Sequence, residues 1–239
     1  MKICSPDNTT ASATALSYAV TSAKGTPELQ GLWDGPVWGK VAALDVNQFH
    51  KESASRHPKT QAKLLYDDSH VYVHFRVEDQ YVQSLYTNYQ DNVCRDSCVE
   101  FFFQPRLDKS YFNFEINCGG AMLLYYMDNP DRQPNGTFKK YIPLPWELGK
   151  QVRIYHSMPR STPTIIHAPM TWQIEAAIPL AIMTPYVGEI STQVGTKWQA
   201  NLYKCGGDRK HDNYASWSPI TGSLNFHQPQ FFGDLIVSE

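Results

Sequence analysis

The sequence has no apolar run near the ~20 residues that a membrane-crossing helix needs, and no cluster of lysine and arginine. Its 21 basic and 23 acidic residues are interleaved over 239 positions, for a formal net charge of −2. Nucleic acid and anionic membrane are therefore poor partner classes. Only 18% of residues are charged, and glycine and proline are spread evenly, so no linker divides the chain. No HExxH or HxH motif occurs, and no paired-cysteine spacing of a zinc knuckle. The cysteines number five, an odd count in a chain too long to need staples. Cys94 and Cys98 are expected to be reduced, because ~13 Å of extended chain exceeds the ~7 Å a disulfide spans. Cys98 with Cys118, across neighbouring strands, is the one pairing left open. The N-terminal stretch lacks the continuous apolar core of a leader, which points to a cytoplasmic address. Without a leader, the glycosylation-like triplets at Asn8 and Asn135 carry no weight. Helix signals are scarce: "IPLAIMTPY" after Pro179 holds at most a turn, and "DVNQFHKES" another. No repeat of fixed period is visible.

What the sequence does have is aromatic weight, 13% of residues, and 42% hydrophobic content, enough for a core within one domain of this length. It also has period-two alternation. Val71, Val73, Phe75 and Val77 share one face of "VYVHFRVE". Phe112, Phe114, Ile116 and Cys118 do so in "YFNFEINC", Trp172, Ile174, Ala176 and Ile178 in "TWQIEAAIP", and Trp198, Ala200 and Leu202 in "KWQANLYKC". Alternation of this kind is the mark of strands with one face against a core. Turn chemistry at 66–70, 105–110, 118–121, 128–136 and 204–213 separates them, and "YDDSH" reads as a hairpin. The fold class that follows is all-β, an antiparallel, jelly-roll-like β-sandwich with little helix. The opposite strand faces carry Glu100, Asn113, Glu115, Asn117, Gln199 and Asn201. If the strands are neighbours, these make one polar patch; it is either a binding surface or the wet face of the sandwich.

The segments "LWDGPVWGKVAALDV", "AKLLYDDSHVYVHFRVEDQYV", "RDSCVEFFFQP", "YFNFEINCGGAML", "WQANLYKCGG", "SWSP" and "FHQPQFFGDLIV" occur in that order. Together they resemble the family 9 carbohydrate-binding modules, most nearly the stand-alone bacterial proteins of that type. The likeness runs over residues 30–238, leaving 1–29 as an N-terminal extension packed on or flanking the sandwich in a single domain of 1–239. The resemblance implies a non-catalytic, calcium-containing sandwich that grips a mono- or oligosaccharide end between two tryptophans and a ring of polar groups. It makes Glu100 the strand glutamate that bonds sugar hydroxyls, and puts Glu115 and Asn117 where an arginine and an asparagine are usual. The first tryptophan is replaced by Cys94 and the second by Phe226, so one stacking wall is lost. Stacking on a ring contributes ~1–2 kcal/mol, and weak binding is the expectation. Asn201, Trp217 and His227 complete the expected sugar site. Asp34 and Asp234, hard oxygen ligands near the two chain ends, are the candidates for calcium. No organic cofactor is expected, and the oligomeric state is open. Three rivals stand beside this. The pocket could serve a non-sugar ligand or a protein partner. Glu100 and Glu115 could form a glycosidase pair hydrolysing O-glycosyl bonds, and Met122, Met127 or His74 could ligate haem.

Overall fold

The computed structural model describes residues 16–206 and 211–239. Asn8, the N-terminal leader reading and part of the turn expected over 204–213 lie outside them. In chain order the strands are β1 (Ser17–Ser22), β2 (Leu44–Asp45), β3 (Gln48–Phe49), β4 (Lys59–Tyr66), β5 (His70–Asp79), β6 (Val82–Ser84), β7 (Cys98–Gln104) and β8 (Tyr111–Asn117). They continue with β9 (Met122–Arg132), β10 (Phe138–Pro143), β11 (Arg153–His156), β12 (Thr162–Ile166), β13 (Met170–Pro179), β14 (Lys197–Cys205), β15 (Ala215–Ser216) and β16 (Gly233–Ser238). Helix is confined to turns, about 8% of residues. Among the described residues no helix is long and apolar enough to cross a membrane.

The hydrogen-bonded order β10-β9-β8-β7-β14-β16-β1-β4-β5-β13-β11 forms one continuous path. Curled on itself, this path gives the expected sandwich. Its halves are β10 to β14 and β4 to β11, and β16 and β1 join them. All four alternating sets named above enter the same buried cluster. β1 departs from the antiparallel expectation: it runs parallel to both β16 and β4. Its alternate residues Tyr18 and Val20 are core. Within residues 1–29, Ser17–Ser22 is thus a strand of the sheet.

The hairpin between β4 and β5 forms because Asp67 Oδ1 accepts from the backbone N–H groups of Ser69 and His70, both at 2.8 Å. The segment after Pro179 does hold short turns, Leu180–Ile182 and Thr184–Val187. "DVNQFHKES" does not make a helix; Gln48–Phe49 pairs instead with Ala215–Ser216.

The main correction concerns the strands' other faces. They are not wet. On β5 and β13, Tyr72, His74 and Glu175 are buried under the loop that carries Trp33 and Trp38. His74 lies edge-on to both indoles, at 5.1 and 5.2 Å. Lys63 Nζ donates to the carbonyls of Trp33 and Trp38 at 2.9 and 2.8 Å, pinning this loop. Both tryptophans are thus committed to packing here. Neither joins the polar patch of the other half.

Two consequences are measurable. Trp198 is fully buried, edge-on to Phe103 at 5.3 Å, and its Nε1 donates to the Ser191 carbonyl at 3.1 Å. Trp198→Ala is expected to lower stability by about 3–5 kcal/mol in urea denaturation. Burial pushes the His74 imidazole down to about 4, the Gln173 bond opposing and the Lys63 ammonium adding to the shift. Lys63 and Glu175 are its cross-strand neighbours. His74 is neutral when folded, whereas the unfolded chain takes up the proton near the ordinary 6.5. The folded state therefore loses stability as pH falls from about 6.5 to 4, by at most about 3 kcal/mol. Comparison of wild type with His74→Gln isolates this term. The stability gap between the two should shrink by a few kcal/mol from about pH 7.5 to about pH 4.

Candidate functional site

β7 is the centre of the candidate site, bonded on one side to β8 and on the other to β14. Glu100 faces Glu115 across the β7–β8 ladder, and Cys98 faces Cys205 across the β7–β14 ladder. Side chains two apart on a strand share a face. Cys98, Glu100, Asn113, Glu115, Asn117, Asn201, Tyr203 and Cys205 therefore stand on one side of the sheet. The neighbouring-strand condition for the polar patch is met. Loops then cover it: one carries Val93 and Cys94, and the segments before and after β15 bring Tyr214 and Phe226.

Beneath these loops lies a cavity of about 310 Å³ lined by Cys94, Arg95, Glu100, Glu115, Cys205, Tyr214, Leu224, Asn225, Phe226 and His227. Glu100 Oε1 accepts from the Cys205 thiol at 2.9 Å. Glu115 Oε1 accepts from Asn113 Nδ2 at 2.8 Å, but its Oε2 is buried with no well-formed hydrogen bond, and the Cys94 thiol is the donor beside the carboxyl. Burial pushes the Glu115 carboxyl up to about 7. Burial, and then the facing Glu115, raises Glu100 well above the usual carboxylate range. These carboxyl groups can thus donate as well as accept hydrogen bonds near neutral pH. The Cys94 thiol is also raised, first by burial and then by Glu115. It is no ready nucleophile.

The expected site residues divide into those at the cavity and those that build it. Cys94, Glu100, Glu115, Phe226 and His227 line it. Phe226 is stacked on Tyr203, centroids 4.2 Å apart and planes 12° from parallel, and its carbonyl accepts from the Tyr203 hydroxyl at 2.9 Å. One face of its ring is therefore occupied from below. His227 is half-buried, and its Nδ1 shares a 2.7 Å hydrogen bond with the Tyr111 hydroxyl. Burial, followed by the Arg132 charge, lowers its imidazole to about 3.

Asn117 and Asn201 are fully buried and spend their amides on structure. Asn117 Nδ2 donates to the Tyr86 carbonyl and to Asp96 Oδ2, both at 2.8 Å, and its Oδ1 accepts from Ala121 N. Asn201 exchanges two 2.9 Å bonds with the backbone of Ser218. Trp217 belongs to the main core, seated over Gly233, where a Cβ would come within 2.6 Å of its ring. Of the residues expected at the sugar site, Asn117 and Asn201 thus hold loops and Trp217 fills the core, and none of the three lines the cavity. Tyr89 packs in a separate cleft against Trp146.

The sequence reading missed Cys205, Tyr214 and Asp96. Cys205 has the same parity on β14 as Asn201, so alternation could have found it. Asp96 accepts from the backbone N–H groups of Leu85 and Tyr86 at 3.0 Å and organises the loop carrying Cys94. Gly206, at φ +77°, lets the end of β14 pass against the Asp96 carbonyl where a Cβ would collide.

The cysteines Cys94, Cys98, Cys118 and Cys205 are all free, although Val93–Arg95 is a helical turn, not the extended span on which that expectation rested. Cys118 joins the main core while Cys98 faces the other way. The Cys98–Cys118 pairing left open is thereby removed.

Calcium finds no shared ligand set in the residues proposed for it. Asp34 is exposed in the turn after Trp33. Asp234 on β16 is held by Lys197 Nζ at 2.6 Å and Gln199 Nε2 at 3.1 Å. Among the described residues, the one group of three histidine, cysteine or acidic ligand atoms within reach of one another is Cys98, Glu100 and Cys205. Thiols are not ligands for a hard cation.

A larger groove of about 720 Å³ lies on the other half, beside Trp38 and Glu175. Glu175 is already saturated there by Gln30 N, Gly31 N and Trp38 Nε1 at 2.7–3.0 Å. It has little left to offer a ligand.

Comparison with solved structures finds the same fold. A Bacteroides uniformis protein regarded as carbohydrate-binding superimposes with a TM-score of 0.79 at 23% identity, covering 93% of this chain and 99% of that one. A family 9 carbohydrate-binding module from Caldicellulosiruptor kristjanssonii, solved with cellotriose, gives 0.64 at 16% identity over 93% and 94% of the two chains. The structure of such a module from the same organism with glucose gives 0.61 at 16% identity over 92% and 95%. No curated protein shows significant sequence similarity. The model of carbohydrate-binding family 9 matches residues 37–237, and the chain belongs to that family.

Proposed function

We propose that the protein binds a mono- or oligosaccharide end, without hydrolysing it, in the cavity between the β7–β8 carboxyl pair and Phe226. The observation that carries this is the buried Glu115 Oε2, which makes no well-formed hydrogen bond on the floor of a cavity flanked by Phe226 and Tyr214. A sugar supplies what such a floor lacks: hydroxyl donors for the carboxyl oxygens and an apolar C–H face for the rings. Membership of a carbohydrate-binding family supports the reading. So do neighbours solved with glucose and cellotriose.

Only one aromatic wall stands at the matched positions, and Tyr203 already takes one face of that ring. Affinity is therefore millimolar, one to two powers of ten below a site with two indoles, at ~1.4 kcal/mol for each tenfold. Titration calorimetry or chemical-shift mapping with glucose and cellotriose, on chelator-treated protein, measures this. Glu100→Gln should weaken binding about tenfold, because the amide fixes one end of the side chain as a donor, where the carboxyl can accept with both oxygens or donate with one. Phe226→Ala should weaken it by a similar factor through lost stacking. Cys94→Trp should restore about tenfold by rebuilding the second wall. Saturable binding that none of the three substitutions alters would move the site elsewhere. No response from wild type or Cys94→Trp would refute sugar binding.

A further inference from the structure

Sugar recognition gives no role to the thiols behind the carboxyl pair. We propose that Cys98, Glu100 and Cys205 form a site for one thiophilic divalent transition-metal ion of the zinc class. Their ligand atoms all lie within 4.8 Å of one another, and the Cys205 thiol already touches Glu100 Oε1 at 2.9 Å. A tetrahedral ion with Zn–S of ~2.3 Å and Zn–O of ~2.0 Å sets its ligands roughly 3.5–3.8 Å apart. The 4.8 Å limit on their separations is close to that spacing. Cys98 and Cys205 are register partners on paired strands, and Glu100 follows two residues on along the same face.

The donor set selects the ion class. Two thiolates and one carboxylate suit zinc or its cobalt analogue and disfavour calcium and magnesium. Binding releases the thiol and carboxyl protons to solvent. It leaves a bound unit of net charge −1: a dication, two thiolates and one carboxylate.

A second observation points to an ion at the same place. Glu115, only 6% exposed, faces Glu100 across the ladder with its Oε2 free of any well-formed hydrogen bond. That free oxygen can hydrogen-bond a water held on the ion. The approach is from the cavity, which Glu100, Glu115 and Cys205 line while Cys98 stands behind. Three protein ligands leave the fourth position open on that side, as in sites that keep a water or ligand on the metal.

The test uses the full chain, reduced with a non-chelating phosphine and stripped of metal. Native mass spectrometry with Zn²⁺ should show one ion retained per chain. Titration with Co²⁺ should give a thiolate-to-cobalt charge-transfer band that Zn²⁺ abolishes. Cys98→Ser and Cys205→Ser should each weaken the band and lower affinity at least about a hundredfold, beyond the 10–100-fold typical of outer-shell changes. Glu100→Gln should weaken binding while keeping the charge-transfer band. Cys118→Ser and Cys4→Ser, which remove thiols not in the set, should leave the titration unchanged.

Absence of any charge-transfer band in the reduced wild type overturns the proposal, as does a band that survives both Cys98→Ser and Cys205→Ser. Circular dichroism checks that the variants are folded. If they are not, the wild-type stoichiometry and band decide alone. The readout contains no sugar, so metal uptake and sugar binding can fail separately.

Discussion

The pairing of β7 with β8 on one side and β14 on the other determines most of what this molecule can do. Because strand side chains alternate, one register places Val99, Phe101 and Phe103 in the main core and Cys98, Glu100 and Phe102 on the reverse. A one-residue slip would exchange the two sets, moving the carboxyl groups into the apolar interior and the phenyl rings out of it. The tightly packed interior of the sandwich, with Trp172, Trp198 and Phe112 all fully buried, penalises that slip heavily. The core therefore positions the site: its hydrophobic order holds two acids opposite each other.

The reverse face departs from the usual expectation for an antiparallel sheet, in which one side is packed and the other solvated. Here both halves of the sandwich have their reverse face roofed by loops, and the two roofs differ in chemistry. On the β5–β13 half, Glu175 is the buried acid, and the loop delivers two backbone N–H groups and an indole N–H to it. That arrangement is complete. On the β7–β8 half, the roof brings Phe226 and Tyr214 over Glu100 and Glu115 but offers the Glu115 carboxyl only the weak Cys94 thiol, and its Oε2 makes no well-formed hydrogen bond. An unmet acceptor in a low-dielectric site is costly unless something supplies the missing bond. The contrast between a satisfied buried acid on one half and an unsatisfied one on the other separates scaffold from site more sharply than cavity size does.

Much of this was legible in the sequence. Alternation is a local property, so the inward sets of β5, β8, β13 and β14 could be read directly. The hairpin at Asp67 could be read because its side chain makes the turn. The order of segments gave the family, and with it Glu100, Glu115, Cys94 and Phe226 at the cavity. What could not be read was coverage. Nothing local says that a polar face will be roofed. Asn117 and Asn201 therefore read as sugar contacts, when their amides are spent on Ala121, Asp96 and Ser218. Trp217 was hard to place for a related reason: an aromatic residue beside a short strand can face either way, and its packing over Gly233 depends on a residue sixteen positions later. The parallel insertion of β1 was hidden because parallel neighbours are distant in sequence and leave no turn signal.

The same logic of coverage bears on how a stacking wall can be lost without losing the site. In an open groove, replacing an indole with a thiol would simply leave a gap filled by water. Here Cys94 sits in a short helical turn whose position is set by Asp96 and Asn117 below it, and its thiol lies against Glu115. The turn is held by hydrogen bonds that do not involve the Cys94 side chain. That side chain is therefore free to vary in size and chemistry while the cavity floor stays fixed. Separating the groups that hold the loop from the groups that face the cavity lets one sandwich present different ligand chemistry without refolding. It also explains why Asp96 and Asn117, which touch no proposed ligand, matter as much to the cavity's shape as Glu100 does.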